Sequence, residues 1–407
     1  MIRHLFKLVW NRKRSTGLIL VEILLCYLVL CGILATVVYL GIEWRRPLGF
    51  DYENVWSVVI EGMEYHAEGE QLAADRRAVS DMLRTVGGMP EVDAVALSTN
   101  TPYSNSSWGD GTRIHGEPVH FLWTLATPGL REVLHLDLLH GRWIEETDGA
   151  LGYEPVVLSR TFARDMFDTE DPVGRDMPVF NDDGEPVEPE EDARIRRVVG
   201  VMQDYRRRGM LEETQYTMVL AVDLENGESV PQELLVRVRP GTTAEFEERL
   251  VRALQAIAPQ WTYESTRIEN RRRMLHLSMV MPLILSTVVA GFLIVMVGLG
   301  LVGVLWLSVT RRTAELGVRR AMGASGAAVR RQIVGELWAL TALAVAVGAL
   351  IFLQLPLFGV NFGAGWIVFL GGVALATIVI YAFVTFCGLY PAWLATRVQP
   401  AAALQYE

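Results

Sequence analysis

The stretch Thr310 to Gln332, TRRTAELGVRRAMGASGAAVRRQ, carries six arginines against the single acid Glu315. These residue types suit docking to another protein, not catalysis. Thr313 to Met322 is predicted as a short helix, supported by Glu315 and Arg319 four residues apart. Gly323 then serves as its left-handed stop, and Ser325 caps the helix that follows. Leu316, Val318, Ala321 and Met322 set apolar contacts beside the arginines. The candidate docking residues are therefore Thr313, Glu315, Leu316, Gly317, Val318, Arg319, Arg320, Met322 and Gly323. A solvated loop or a lipid-headgroup anchor accounts for the charge alone, but neither requires a capped helix with an apolar side.

The other patterns with chemical potential are weaker. Gly298 to Gly303 reads GLGLVG, a formal match to the dinucleotide fingerprint. That fingerprint works at a helix N-terminus after a strand, where free N–H groups meet a pyrophosphate. Here it lies inside an apolar stretch of membrane length, so small residues for close helix approach are the better reading. No phosphate loop of the GxxxxGKS or GxxxxGKT type occurs, so any ATP must be bound by another polypeptide. His115 and His120, like His135 and His140, recur at five-residue spacing, which on a strand puts them on opposite faces. Cys26, Cys31 and Cys387 all fall within apolar stretches, leaving the rest of the chain without a disulfide framework. The run NDDGEPVEPEED from Asn181 lacks the ligand spacing of a calcium loop and reads as a solvated acidic hairpin. Glu22 and Glu336 lie near the ends of apolar stretches, where acids are functional candidates by default and Arg14 or Arg331 would pair with them. No catalytic, cofactor-binding or metal-binding residue is assigned, and nothing points to nucleic acid.

The elements that position the docking loop are membrane spans. Gly17 to Leu40, Met279 to Val309, Ile333 to Phe358 and Trp366 to Leu389 each reach the length of about 20 apolar residues that a crossing helix needs. Residues 1–16 hold five basic residues and no acid, whereas residues 41–278 hold 25 basic against 43 acidic residues, a formal charge of −18. Basic side chains accumulate on the cytoplasmic side. Both termini and the 310–332 loop are thus expected in the cytoplasm, and residues 41–278 outside it. The first span, at about 24 residues, exceeds a signal-peptide core and is read as an uncleaved anchor.

Within 41–278 the pattern is mixed. A strand at VWSVVIEGM, a helix from Glu70 to Val86 and a strand at VDAVALST form one unit. TMVLAVDL, ELLVRVRP and a helix from Thr243 to Ala258, capped at Thr242 or Thr243, form the other. The expected fold class is four transmembrane helices with a large α+β extracytoplasmic domain of βαβ-type units. An inserted β-rich subdomain occupies about 110–214, and its deletion is expected to leave a folded remainder.

The segment ELGVRRAMGAS followed by Glu336, and the terminal YPAWLATRVQPAAALQYE, resemble the permease domain of MacB/FtsX-type ABC transporters. LHGRWIEETD, PVVLSRTFARDMFDTEDPVGRDM and RVVGVMQDYR are similar to the MacB periplasmic core domain. The resemblance runs nearly end to end, but the chain has no fused ATPase domain. It implies 1–16 as a cytoplasmic amphipathic helix, 17–40, 279–309, 333–358 and 366–389 as spans, 310–332 as a coupling loop and 390–407 as a cytoplasmic tail. It further implies a non-catalytic permease of the bacterial inner membrane, with ATP–Mg held on a separate ABC ATPase subunit. The implied partners are that ATPase, a second copy or a paralogous permease, membrane lipid and a periplasmic adaptor. Coupling helices would correspond to His4 to Asn11 and Thr313 to Met322, transmitting ATPase closure to the external domain for efflux or substrate transfer. FtsX-type relatives instead suggest a regulator of an external cell-wall hydrolase, or a sensor.

Overall fold

The computed structural model describes residues 13–64, 67–104, 107–180, 186–187, 194–209, 215–225, 227, 229–311, 322, 325–359 and 365–395. In chain order the elements begin with α1 (Lys13–Glu43), β1 (Val55–Glu61), α2 (Gly69–Gly87) and β2 (Val92–Leu97). Next come β3 (Gly109–Ile114), β4 (Glu117–Ala126), α3 (Leu130–Leu134), β5 (Leu138–Gly141), β6 (Glu154–Ser159) and α4 (Arg160–Phe167). They continue through β7 (Val179–Phe180), β8 (Pro186–Val187), β9 (Arg196–Met202), β10 (Tyr216–Ala221) and β11 (Glu233–Val238). The last are α5 (Glu245–Ile257), β12 (Thr262–Arg267), α6 (Ile268–Arg311), α7 (Gly326–Phe352) and α8 (Trp366–Ala395). The chain divides into two compact units, Met1–Arg45 with Met279–Glu407, and Arg46–Ser278.

The first unit is an apolar helix bundle. Leu20–Glu43, Ile268–Leu307, Gly326–Phe358 and Trp366–Leu389 are long and apolar enough to cross a membrane. Its centre is α1, which the other helices approach at glycines. A Cβ at Gly348 of α7 would strike the Tyr27 ring, one at Gly372 of α8 would strike Ala35, and one at Gly300 of α6 would meet Glu22. Two glycines of the GLGLVG run therefore serve helix contact, since Gly298 faces Phe383 and Cys387. Tyr27 and Thr377 hydroxyls share a hydrogen bond of 3.0 Å within this core. Trp44 and Trp366 are exposed at one end of the bundle, and Trp306 and Trp338 towards the other, the distribution of interfacial aromatic belts.

The second unit contains two sheets. In the smaller, strand order is β12-β1-β11-β2 with every neighbouring pair antiparallel. Each βαβ unit is split by a strand of the other, a ferredoxin-like arrangement. Strand alternation sends Trp56, Val58 and Ile60 of β1, and Leu234, Val236 and Val238 of β11, to one face. There they pack on Val79, Met82 and Val86 of α2 and Phe246, Leu250 and Leu254 of α5. The larger sheet runs β3-β4-β10-β6-β9-β5 and is mixed, with β10 parallel to β4 and β6 parallel to β9. Phe162 and Ala163 of α4 cover one of its faces.

Three sequence expectations change here. TMVLAVDL does not open the second βαβ unit. It forms β10 at the centre of the larger sheet, where Met218 and Val219 are buried in different cores. A strand apolar on both sides fits either sheet by pattern alone. The second unit is completed by β12, TYESTR, whose polar run hides it. The helix cap at Thr242 or Thr243 is also absent: Ala244 precedes α5 without a side-chain cap, and the Thr242 hydroxyl donates to the Arg239 carbonyl at 2.7 Å. By contrast Ser325 accepts from the Ala328 N–H at 3.2 Å and caps α7. Of the acidic run, Pro186–Val187 pairs with Val179–Phe180 as a hairpin, and the rest lies outside the described residues.

The two sheets are stitched together. Thr127 N–H donates to the Leu97 carbonyl (3.0 Å), Leu97 N–H to Thr127 Oγ1 (2.9 Å), and Leu125 N–H to Thr99 Oγ1 (3.0 Å).

Candidate functional site

Of the docking residues, Thr313, Glu315, Leu316, Gly317, Val318, Arg319, Arg320 and Gly323 lie outside the described residues, as does His4 to Asn11. Met322 is described and stands exposed in a turn. Glu22 Oε2 is buried without a protein hydrogen-bond partner, while Glu336 accepts from Gln332 at 3.3 Å. The histidines do not converge: His115 and His135 occupy left-handed turns, and their nearest acids are Asp168 (3.6 Å) and Asp51 (3.2 Å).

A polar constellation does form in the second unit, on the face of the smaller sheet opposite α2 and α5. Here β1 presents Val55, Ser57 and Val59 beside Arg237, Leu235 and Glu233 of β11. Two charges on one central buried strand need partners. They find them in the two connections by which the chain enters and leaves the unit.

Arg237 holds the incoming segment. Its Nη1 donates to Asp51 Oδ2 (3.2 Å) and the Glu53 carbonyl (3.1 Å), Nη2 to the Asp51 carbonyl (3.0 Å), and Nε to the Val133 carbonyl of α3 (2.6 Å). Every guanidinium nitrogen is engaged, which the planar fork of arginine allows and lysine does not. Glu233 holds the outgoing helix. Its carboxylate takes an ion pair from Arg271 of α6 and hydrogen bonds from the Ser57 and Thr101 hydroxyls. Thr101 belongs to the segment that leads from β2 into the larger sheet, so Glu233 ties together both sheets and α6.

The two connections also touch each other. The Arg272 guanidinium stacks 4.7 Å above the Tyr52 ring centroid, a cation–π contact. Tyr52 packs against Tyr103 and Phe50, and Phe50 against Tyr205, with centroids 5.2 to 6.4 Å apart. Burial drives the Tyr103 phenol well above its ordinary pKa, which the Arg272 charge only partly offsets. The phenol is a neutral packing element at any physiological pH.

None of these residues was singled out from sequence, although two signals exist. ELLVRV places Glu233 and Arg237 four apart in a buried strand, hence on one face. Arg271, Arg272 and Arg273 crowd the extracytoplasmic end of a span, where basic residues are normally scarce.

Four membrane-length helices and a two-sheet α/β unit define a multi-pass membrane protein with a large domain inserted between its first two spans. Residues 32–253 match the MacB-like periplasmic core domain and residues 287–400 the FtsX-like permease C-terminal domain. The chain belongs to the MacB/FtsX-type permeases of ABC transporters, and it is a component of the bacterial inner membrane. It is 22% identical over 369 residues to the uncharacterized ABC transporter permease YknZ of Bacillus subtilis, covering 84% of each chain. It is 24% identical over 444 residues to the macrolide export ATP-binding/permease protein MacB of Bdellovibrio bacteriovorus, covering 100% of this chain but 62% of that one. The periplasmic region of MacB from Actinobacillus actinomycetemcomitans aligns with a TM-score of 0.37 at 15% identity, covering 58% of this chain and 98% of that one. Membership in this family implies an ABC ATPase as partner.

Proposed function

We propose that this permease converts ATP-driven closure of a separate ATPase into movement of its extracytoplasmic unit, for export or extracytoplasmic transfer of a substrate. The observation that carries the reading is the clasp on β11, where Arg237 holds the incoming connection and Glu233 the outgoing one. While both grips are closed, a central strand joined to both covalent links to the membrane passes displacement of either into two sheets at once. A domain merely tethered by its ends needs no such charged grip, which costs desolvation of both charges. Coupling to the ATPase is assigned to Thr313, Glu315, Leu316, Gly317, Val318, Arg319, Arg320, Met322 and Gly323, whose basic and apolar residues suit a docking helix.

The test is hydrogen exchange on the permease–ATPase complex in lipid nanodiscs, with and without ATP. Protection within residues 46–278 is expected to change with nucleotide, and joint replacement of Glu315 and Arg319 is expected to abolish the change without impairing membrane insertion. Identical exchange across 46–278 in both nucleotide states would overturn the proposal.

A further inference from the structure

The incoming and outgoing connections are held by different chemistry. The incoming one is fixed largely through the main chain. Two of the three acceptors it offers Arg237 are the Asp51 and Glu53 carbonyls, beside Asp51 Oδ2. Asp51 N–H donates to the Leu134 carbonyl (2.8 Å) and Arg206 N–H to the Leu48 carbonyl (3.0 Å). Gly49, at φ +79°, lies so close to Asp204 that a Cβ would stand 1.9 Å from its carbonyl oxygen. The outgoing helix, beyond the fully buried Ile268, is held mainly by side chains. These are the Arg271–Glu233 pair, the Arg272–Tyr52 stack and a long 3.5 Å bond from Asn54 N–H to Glu269 Oε1. Arg272 Nε and His276 Nε2 are buried there without a protein hydrogen-bond partner, whereas no Arg237 nitrogen is in that position.

We infer that the outgoing connection is a releasable latch and the incoming one a fixed anchor. The first turns of α6 swing away about Ile268 when Arg271 parts from Glu233, while residues 48–54 stay in place. The latch supplies the moving part of the proposed transmission and rests on that reading for its purpose. The surroundings of Glu233 are built for the separation. Ser57 donates to Oε1 and Thr101 to Oε2, so each carboxylate oxygen keeps a donor after Arg271 leaves. Breaking a buried pair is normally expensive because it strands a charge. Here the carboxylate stays hydrogen-bonded, and the Arg271 side chain, already 17% exposed, moves into water. Departure gives up the Arg272–Tyr52 stack but exposes Arg272 Nε and His276 Nε2, which are buried there without a protein hydrogen-bond partner, to water, and that favours opening.

The experiment is hydrogen exchange of the full chain in lipid nanodiscs, without ATPase or nucleotide, comparing wild type with Arg271→Gln. Amides of residues 272–278 are expected to exchange at least about tenfold faster in the variant, as loss of a charged hydrogen bond dictates. Amides of residues 48–53 should stay within about twofold of wild type. Glu233→Gln, which keeps the shape of the acceptor, should move the same segment in the same direction. Unchanged exchange at 272–278, or equal acceleration at 48–53, would overturn the latch. The outcome is separable from that of the functional proposal. An open latch in Arg271→Gln beside a wild-type complex blind to ATP would leave the latch standing and remove transmission.

Discussion

The two faces of the four-stranded sheet solve the same packing problem differently. Towards α2 and α5, β11 offers Leu234, Val236 and Val238 to an apolar core. Towards the larger sheet it offers Glu233, Leu235 and Arg237, and the two charged residues take on the chain connections. The first face is shaped by burial, which is non-directional and roughly proportional to area. The second is shaped by hydrogen-bond geometry, which fixes particular segments in particular places. Stability can come from either face, but only the second can tell the membrane connections apart.

The sharpest way to break this comparison is to remove the larger sheet. Replacing residues 99–229 by a short flexible linker in an isolated 46–278 fragment is expected to abolish the cooperative thermal transition seen by circular dichroism. The deletion uncovers Leu235, Val55 and Ala96, all buried against the larger sheet. It also strips Thr101 from Glu233 and the Val133 carbonyl from Arg237. From sequence, deletion of about 110–214 is expected to leave a folded remainder, whereas this wider deletion is expected not to. A cooperative melt in the deletion variant would show that the charged face is a surface the sheet can expose.

Next in size is the apolar face. Leu234→Ala should lower the stability of the same fragment by about 2–5 kcal/mol, the range for truncating a buried leucine, read as a shift of the urea midpoint. Leu234 is fully buried among residues of both helices and the strand pair. A loss well under about 1 kcal/mol would mean the core collapses around the gap. A smaller loss, about 2 kcal/mol, is expected for Arg237→Lys, which keeps the charge but cannot reproduce four fork-directed bonds. No midpoint shift would show that the main-chain bond from Asp51 to Leu134 holds the incoming segment unaided.

The apolar face was legible in the sequence because alternation and helical spacing carry it. β1, α2, β2, β11 and α5 appear, with ends shifted by up to two residues, at the expected VWSVVIEGM, Glu70 to Val86, VDAVALST, ELLVRVRP and Thr243 to Ala258. The four spans appear for the same reason, that continuous apolarity allows one reading at that length. β12 did not, because Thr262 to Arg267 alternate no hydrophobes and form a strand only through pairing with β1. The clasp was only partly legible because its partners come from five separated stretches, near residues 51, 101, 133, 235 and 271. A single charge in a strand states the need for a partner without naming it. The docking residues of the 310–332 loop, read from sequence, fall outside the described residues apart from Met322 and are carried by chemistry alone.

The smallest expected effect concerns a charge that intrudes on the apolar side. Asp75 shares the buried face of α2 with Val79, Met82 and Val86. Its Oδ1 accepts from Gln71 Nε2 at 2.7 Å, while Oδ2 is buried without a protein hydrogen-bond partner. Burial raises its pKa above the ordinary carboxylate value, with the Gln71 bond opposing and Glu64 adding to the rise. A raised folded-state pKa means the protonated form favours folding. That contribution is complete below the unfolded value of about 3.9 and is lost as pH climbs through the raised one, so at pH 7 the ionised group weakens the fold. Asp75→Asn should therefore stabilise the 46–278 fragment at pH 7 by about 1 kcal/mol, since a neutral amide costs less to bury than a carboxylate. The advantage should shrink as pH falls towards about 3, where wild type is also neutral. Urea midpoints of both proteins at the two pH values decide it. A difference that does not change with pH would mean the carboxylate is solvated in solution, leaving the helix-covered face without a buried charge and widening its contrast with the face that carries Glu233 and Arg237.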